Sequence, residues 1–524
     1  MDAPPPMQEP DGATTPVDAP PAFTHRQITR VVTGIMLCIL LAAVDQTVVV
    51  PAVPAIAADL NGFGHLAWIV SAYLLTSTSA APIYGKMSDI YGRRPLLLFA
   101  IALFMAASAL CALAQTLPQL IAARAIQGLG GAGLMAMAQA TIADVVAPRE
   151  RGRYQGYMAG AWAVASVAGP IVGGWMTDSL SWRWIFWMNL PLGVAAFLLS
   201  GRALKLLRHQ RRAARIDYLG AALMTGCVTA SLLVMSWGGV EYAWGSPEVL
   251  GMGGLAVALL AALVVQQRLA PDPLLPPRLF ANNAISSGVA IAFLTTGGML
   301  GGTFLLPLFF QLTRGADASS SGTLIVPFLA ASAAGAFNAG QLARRFGKVK
   351  GIVVGGLVVA TAGFMMLAAA GAETPLVVVL LAMAVVGAGL GTCGPTAMVI
   401  VQNAAERRDV GAATGALLLL RSMGGAFGST LVGALLASSF AQGLAAAGVA
   451  QRIDLGALRA QGGGAVALEP AVAAAAHTAL ASSFHLAFGV CAAMSLAALA
   501  VCAVMRDLPL RSGEVKPGGA KAPV

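Results

Sequence analysis

Apolar segments of about 20 residues, the length that a helix needs to cross the hydrocarbon core of a bilayer, fill most of the chain. Short polar stretches separate them. The pattern predicts fourteen membrane-spanning helices and an all-α membrane protein. The segments lie near residues 31–53, 65–84, 95–114, 118–140, 155–176, 184–204, 217–238, 250–267, 283–311, 321–343, 351–370, 376–401, 411–436 and 480–504.

The composition agrees with this interpretation, because 58% of the residues are hydrophobic, 10% are charged and the mean hydropathy is +0.78. These values exclude an ordinary soluble domain. Residues 1–30 are rich in proline and lack the short apolar core and the cleavage site of a signal peptide. The first apolar segment is therefore expected to remain as a membrane helix.

Lysine and arginine accumulate in the cytoplasmic loops of membrane proteins, so their distribution predicts the orientation. With the N-terminus inside, 26 of the 32 basic residues fall on the cytoplasmic side, many of them in 201–217 and 341–350. We expect a multi-pass protein of the plasma (inner) membrane with both termini in the cytoplasm. The same distribution explains the net charge of +10, and no nucleic-acid binding is expected.

The six cysteines lie in apolar segments without metal-ligand spacing, and the chain has no P-loop or hydrolase motif. Cysteines in such surroundings are usually small buried hydrophobes. We therefore expect no metal, no other cofactor and no covalent catalysis.

One acidic residue, Asp45, lies deep inside an apolar segment, whereas the others lie in loops, tails or helix ends. A carboxylate in hydrocarbon is costly unless it is protonated or paired. At roughly 1.5 Å per residue, Asp45 and Arg124 of the fourth segment lie at a similar depth. We interpret Asp45 as a proton-binding site whose surroundings change as Arg124 approaches or withdraws, and a permanent structural ion pair is the alternative.

The chain also repeats itself, since the sequence GKMSDIYGRR at 85–94 resembles GQLARRFGK at 340–348, eight spans later. This offset indicates two six-helix halves separated by an inserted pair of helices, an arrangement of 6 + 2 + 6. The predicted units are cytoplasmic tail 1–30, first bundle 31–204, basic linker and hairpin 205–282, second bundle 283–504 with outer loop 439–479, and cytoplasmic tail 505–524.

Six motifs in this order resemble those of the major facilitator superfamily, and together they are similar to its 14-span drug:proton antiporter group, the EmrB/QacA type. The resemblance implies a major facilitator fold and proton-coupled export. The motifs are VDQTVV (44–49), GKMSDIYGRR (85–94), RAIQGLGGAG (124–133), RERGRYQGY (149–157), GPIVGG (169–174) and WRWIFWMNLPLG (182–193).

In the repeated segment, two glycines are expected to allow a tight return between helices. Asp89 is expected to accept hydrogen bonds from Arg93 or Arg94, or to face a helix N-terminus. The resemblance implies a latch that closes the cytoplasmic side, with its partner near residues 410–413. A basic turn that only sets topology is the alternative. The latch residues are Gly85, Asp89, Gly92, Arg93 and Arg94.

The segment GPIVGG combines a helix-kinking proline with glycines that allow close helix approach. The resemblance favours a hinge and seal of antiporters, and a packing groove without motion is the alternative. The hinge residues are Gly169, Pro170, Gly173 and Gly174.

A substrate cavity is expected between the halves near the middle of the membrane. Arg421 is interpreted either as a fixed positive charge for anionic or polar substrates or as a structural residue bonded to helix carbonyls and Asn338. The other candidates are equally consistent with packing surface. The cavity candidates are Tyr73, Thr76, Trp162, Phe309, Phe310, Gln311, Asn338 and Arg421.

These observations predict export of small amphipathic compounds across the bilayer by alternating access, with a proton carried inward on Asp45. A proton-independent facilitator, or a lipid or metabolite exporter, on the same fold is the first alternative. A receptor without transport is the second, and a periplasmic adaptor protein remains open as a partner.

Overall fold

The computed structural model describes residues 24–60, 67–206, 217–239, 241–316, 318–447, 449 and 470–507, and these are almost wholly helical. The helices are α1 (His25–Asp59), α2 (Ala67–Tyr91), α3 (Arg93–Leu113), α4 (Leu117–Val145), α5 (Pro148–Ser179), α6 (Trp184–Trp187), α7 (Asn189–Ala203), α8 (Tyr218–Trp237), α9 (Pro247–Leu269), α10 (Pro277–Ala281), α11 (Asn283–Arg314), α12 (Ala318–Leu324), α13 (Val326–Phe346), α14 (Lys350–Ala368), α15 (Leu376–Ala404), α16 (Val410–Ala446) and α17 (Pro470–Val504).

Thirteen helical segments in the described ranges are long and apolar enough to cross a membrane. α2 supplies the fourteenth, because its 25 residues span about 38 Å at roughly 1.5 Å per residue, although its serines and threonines lower its hydropathy. The prediction of an all-α, fourteen-span membrane protein is confirmed.

The outer loop predicted at 439–479 is shorter than expected, since α16 continues to Ala446 and α17 begins at Pro470. The remaining loop residues 448 and 450–469, the tails 1–23 and 508–524, and linker residues 207–216 lie outside the described part.

Polar residues begin several helices by satisfying free backbone amides. Thr24 and Gln27 form a capping box at α1. The Thr116 hydroxyl accepts from the Gln119 amide at α4, and the Asp217 carboxylate accepts from the Gly220 amide at α8. The starts of these helices are therefore encoded locally.

Each half has apolar cores of its own. In the first half, side chains of α1 to α4 and α7 pack together around residues such as Phe104 and Met137. In the second half, Phe309 of α11, Phe364 of α14 and Phe484 of α17 belong to a separate core. Two separately packed bundles allow one half to move against the other.

The halves touch at the ends that the charge distribution places in the cytoplasm, where glycines allow backbones to meet. A Cβ atom at Gly85 of α2 would lie 2.4 Å from the carbonyl oxygen of Gly411 in α16. A Cβ atom at Gly340 of α13 would lie 2.1 Å from the carbonyl oxygen of Gly152 in α5. No side chain fits at these two contacts. The two seams between the halves, one formed by α2 and α16 and the other by α5 and α13, are therefore closed there.

The seams open toward the other end of the molecule. Along the face of α5 that begins with Gly152, Cβ atoms at Gly160 and Gly174 would meet no atom within 4 Å. On the α2 face that carries Gly85, Leu74 is 43% exposed, and Ser422 is exposed two to three turns above the contact on α16. The structure is thus closed toward the predicted cytoplasmic side and open toward the outside.

The inserted hairpin of α8 and α9 lies beside the seam between α2 and α16, and α8 packs against both helices. The indole rings of Trp237 and Trp68 meet edge to face at 6.3 Å, and the Thr430 hydroxyl donates to the Met235 carbonyl at 3.1 Å. The hairpin therefore contacts both halves.

A polar clasp closes the outer end of the first half. Asp59 at the end of α1 accepts hydrogen bonds from Trp182 at 3.0 Å and from Arg183 at 2.8 Å. These bonds lower the pKa of the Asp59 carboxyl below its ordinary value of 3.8. The clasp fixes the loop between α5 and α6 against α1.

Candidate functional site

Asp45 and Arg124 form a fully buried ion pair at the centre of the first half. Arg124 Nη1 lies 2.7 Å from Asp45 Oδ2, and each side chain is no more than 1% exposed. Arg124 Nε also donates to the Ile69 carbonyl at 3.2 Å, and its guanidinium lies 4.5 Å from the centre of the Tyr73 ring. The arginine is therefore held on several sides.

The second carboxylate oxygen is surrounded by amide donors. Asp45 Oδ1 accepts from Gln127 Nε2 at 2.9 Å and from Asn189 Nδ2 at 2.7 Å. The Ser108 hydroxyl accepts from the same two amides, at 3.0 and 2.9 Å, and donates to the Phe186 carbonyl. We call Asp45, Ser108, Arg124, Gln127 and Asn189 the carboxylate cage.

Four helices build this cage. α1 supplies Asp45 and α3 supplies Ser108, while Arg124 and Gln127 are three residues apart on one face of α4. Asn189 is the first residue of α7. The three uncharged members were not predicted from the sequence, although the spacing of Gln127 from Arg124 and the position of Asn189 in a motif were available signals.

Each amide and guanidinium neighbour in the cage donates a hydrogen bond to the Asp45 carboxylate. Asn189 Oδ1 is buried and has no hydrogen-bond partner among the described residues. Rotation of this amide would present an acceptor, instead of a donor, to Asp45 Oδ1.

Asp89, one of the predicted latch residues, forms hydrogen bonds across the closed seam between α2 and α16. Its carboxylate accepts from the backbone amides of Gly411 at 3.2 Å and Ala412 at 3.1 Å, at the N-terminus of α16. Arg93 Nη1 is 2.7 Å from Asp89, and its Nε is 2.8 Å from Asp144. A carboxylate at a helix N-terminus is stabilised by free amides and by the helix dipole.

One expectation about this segment was wrong, because Gly85 lies within α2 rather than in the turn, where it allows the close approach to Gly411. Of the two arginines named as possible partners of Asp89, Arg93 is the one that binds it, whereas Arg94 Nε donates to the Gly201 carbonyl of α7 at 3.1 Å. The return between α2 and α3 is made at Gly92, whose φ of 92° favours glycine.

The glycines of GPIVGG differ in position. Cβ atoms at Gly169 and Gly173 would collide with Thr47 and Val48 of α1, next to Asp45, at 2.0 and 2.3 Å. Gly174 faces open space, and Pro170 interrupts the interior of α5. Close packing of α5 on α1 is therefore observed beside the cage.

The cavity candidates do not form one wall. Phe309, Phe310 and Gln311 are buried in the second half and were wrong as cavity residues. The Phe309 ring contacts the rings of Phe310 and Phe484, and Gln311 donates a hydrogen bond to Ser321. Tyr73 is buried behind Arg124.

Four candidates remain outside the cores. Thr76 and Trp162 are partly buried in the first half, and Asn338 is exposed on α13. Arg421 is exposed on α16 and bonds neither to Asn338 nor to a helix carbonyl among the described residues. The structural role considered for Arg421 has no support in these contacts.

A family model described as Major Facilitator Superfamily matches residues 35–429. The chain is 36% identical over 408 residues to the multidrug transporter protein MdtP of Bacillus subtilis, covering 78% of this chain and 75% of that protein. It is 34% identical over 417 residues to the efflux pump FUS6 of Gibberella fujikuroi, covering 77% and 74%.

Solved structures share the fold at low sequence identity. The proton:xylose symporter XylE superposes with a TM-score of 0.62 at 15% identity, covering 93% of this chain and 97% of that one. The human organic anion transporter MFSD10 superposes with a TM-score of 0.60 at 17% identity, covering 90% and 99%. These similarities concern the fold alone.

Proposed function

The chain belongs to the major facilitator superfamily and is a transporter, and from this premise we propose that it exports amphipathic compounds in exchange for protons carried by Asp45. Relatives at 31–36% identity bear the names multidrug transporter, efflux pump and multidrug resistance protein. Multidrug efflux is therefore the activity that these relatives support. The protein spans the membrane many times, and we place it in the plasma membrane with cytoplasmic termini.

The carboxylate cage is the observation that carries the proposal. A buried carboxylate in a membrane helix is unfavourable unless it is paired. Three side chains bind the Asp45 carboxylate directly, and the Ser108 hydroxyl accepts a hydrogen bond from one of them, Asn189. Motion of the helices that carry these side chains changes the number of donors around Asp45. Helix motion therefore acts directly on the hydrogen bonds of the proposed proton site.

The carboxylate cage and one of the seams are linked mechanically by the packing of α5 on α1. Gly169 and Gly173 place α5 directly on the turn of α1 that follows Asp45, and the cytoplasmic end of α5 forms one of the closed seams. A rocking motion that opens this seam would therefore move a helix packed beside the cage. Alternating access and proton release are coupled in this way.

Substrate-triggered proton release tests the proposal. Purified protein in proteoliposomes with an acidic lumen is given lipophilic cations, anions and neutral drugs, and the proton flux is recorded. We expect release with wild type and none with Asp45→Asn. Asp178→Asn, an exposed carboxylate on α5, is the matched control and should behave as wild type.

Release by Asp45→Asn at the wild-type rate would overturn the assignment of Asp45. Substrate flux by wild type that does not depend on the pH gradient would favour the facilitator alternative. Binding without any flux would favour a receptor, and both outcomes contradict antiport.

Asn189→Ala is expected to change the pH profile of drug export, because the Asp45 carboxylate loses one of its hydrogen-bond donors. The other ionisable groups that face Asp45 are Arg124 of α4, Tyr73 of α2 and Cys111 of α3, and they stay unchanged. The measurement is the pH profile of drug export at fixed gradient size.

The matched control is Ser200→Ala, which removes a buried polar group from the same helix α7, where Ser200 contacts Cys38 rather than the cage. Ser200→Ala should leave the pH profile of drug export unchanged. An unchanged profile for Asn189→Ala, or an equal shift for Ser200→Ala, would contradict a positioning role for Asn189.

A further inference from the structure

Arg421 is a cation near the middle of a membrane-spanning helix. It follows Val410, the first residue of α16, by eleven residues, which corresponds to about 17 Å along the helix. Its side chain is exposed. Exposure to hydrocarbon at this depth is unfavourable for a guanidinium, so an exposed arginine here is expected to face an aqueous gap.

The face of α16 that carries Arg421 points toward the meeting place of the two halves. Thr414 lies seven residues earlier, about two turns, and therefore on the same face. The Thr414 hydroxyl accepts from Gln402 Nε2 of α15, which also donates to the Gln139 carbonyl of α4 in the other half. Arg421 consequently lies above this cross-contact, on the side where the seams open.

No acidic residue in the described part neutralises Arg421. Asp45 is the one described acid in the middle of a spanning helix, and Arg124 already pairs with it. No hydrogen bond or ion pair to Arg421 is present among the described residues. The two buried charges of the first half cancel, so the gap between the halves has an excess positive charge.

We propose that Arg421 binds the anionic head group of an amphipathic substrate, such as a carboxylate or sulfonate. This inference rests on the proposed export function and names its substrate class. Arg421 supplies the charge-assisted hydrogen bonds that a planar guanidinium makes to such groups. Apolar surface for the substrate tail is available one turn outward, where the exposed side chain of Leu300 of α11 lies beside Gly425.

Arg124 does not compete for this role. Its Nε and Nη1 are bonded to Ile69, Asp45 and Gln127, and its guanidinium lies against the Tyr73 ring. Of these two arginines, Arg421 is therefore the one that a substrate between the halves can reach.

Equilibrium binding in detergent tests the assignment with three fluorescent probes that share one twelve-carbon chain and end in a carboxylate, a primary amide or an amine. Wild type is expected to bind the carboxylate on the order of tenfold more tightly than the amide, and the amine most weakly. Arg421→Gln should abolish this order of affinities without weakening the binding of the amide probe. Arg421→Lys should restore part of the preference for the carboxylate. Arg344→Gln, an exposed arginine at the end of α13, is the control.

A carboxylate preference that is absent in wild type, or that survives in Arg421→Gln, would overturn the proposal. Short-chain phosphatidylglycerol serves as the competitor that represents lipid. If it displaces the carboxylate probe at lower concentration than the unlabelled carboxylate does, the site binds lipid head groups and the substrate assignment is wrong.

Head-group preference at equilibrium is independent of proton coupling. Loss of proton release in Asp45→Asn with intact carboxylate preference supports both proposals. An intact preference in a protein that transports without a pH gradient overturns antiport alone. A missing preference in a protein that releases protons normally overturns the assignment of Arg421 alone.

Discussion

Arg124→Leu is expected to destabilise the protein by about 3–5 kcal/mol at neutral pH, because Asp45 stays buried without its cationic partner. The ion pair has an N–O distance of 2.7 Å, and water reaches neither side chain. The measurement is thermal unfolding of the purified protein in detergent, followed by intrinsic tryptophan fluorescence. A large fall in the melting temperature is the expected result.

The double variant Asp45→Leu/Arg124→Leu supplies the decisive comparison. Removal of both charges leaves no unpaired ion, so the double variant should be more stable than Arg124→Leu alone, although it cannot exchange protons. Arg344→Leu, at an exposed position, should change stability by less than about 0.5 kcal/mol. Equal destabilisation of the single and double variants would mean that the ion pair itself, not the unpaired carboxylate, dominates the stability.

Gly85→Val is expected to open the cytoplasmic seam, because a Cβ atom at this position would lie 2.4 Å from the Gly411 carbonyl oxygen. Overpacking at such a contact costs about 1–3 kcal/mol, which corresponds to a shift of roughly five- to 150-fold in the balance between the two states. Asp89→Asn should act in the same direction, since it weakens the acceptor for the amides of Gly411 and Ala412.

Single reporter cysteines can measure this shift, because the six native cysteines are all buried. Gln402→Cys reports on the closed end, and Ser422→Cys reports on the open gap. In Gly85→Val, labelling should rise at the first position and fall at the second. The control is Gly355→Val on α14, where a Cβ atom would meet no atom within 4 Å. Identical labelling of Gly85→Val and wild type would rule out the latch.

The pairing of Asp45 with Arg124 could be predicted from the sequence, because a charge inside an apolar segment is conspicuous and the rise per residue of a helix gives its depth. Ser108, Gln127 and Asn189 were not predicted, since uncharged polar residues occur throughout membrane helices and only the packing of α3, α4 and α7 brings them together. The position of Asp89 opposite the start of α16 came from the resemblance, and the observed contact agrees with the expected segment.

The cavity could not be predicted because a spanning helix is apolar on every side. A phenylalanine that faces lipid, a core or a substrate gap has the same sequence surroundings, and Phe309 and Phe310 prove to be core residues. Gly85 was similarly ambiguous, since a glycine near a predicted turn and a glycine at a helix crossing look alike without the partner helix.

The hairpin of α8 and α9 breaks the internal twofold symmetry that the duplicated halves would otherwise give the molecule. α8 lies against the seam between α2 and α16, whereas none of the described helices is inserted beside the equivalent seam between α5 and α13. A hydrophobic compound that diffuses within the bilayer therefore meets two unlike flanks, one shielded and one bare. Such a compound is therefore expected to approach the transporter from the side of the seam between α5 and α13 rather than from the side that the hairpin covers.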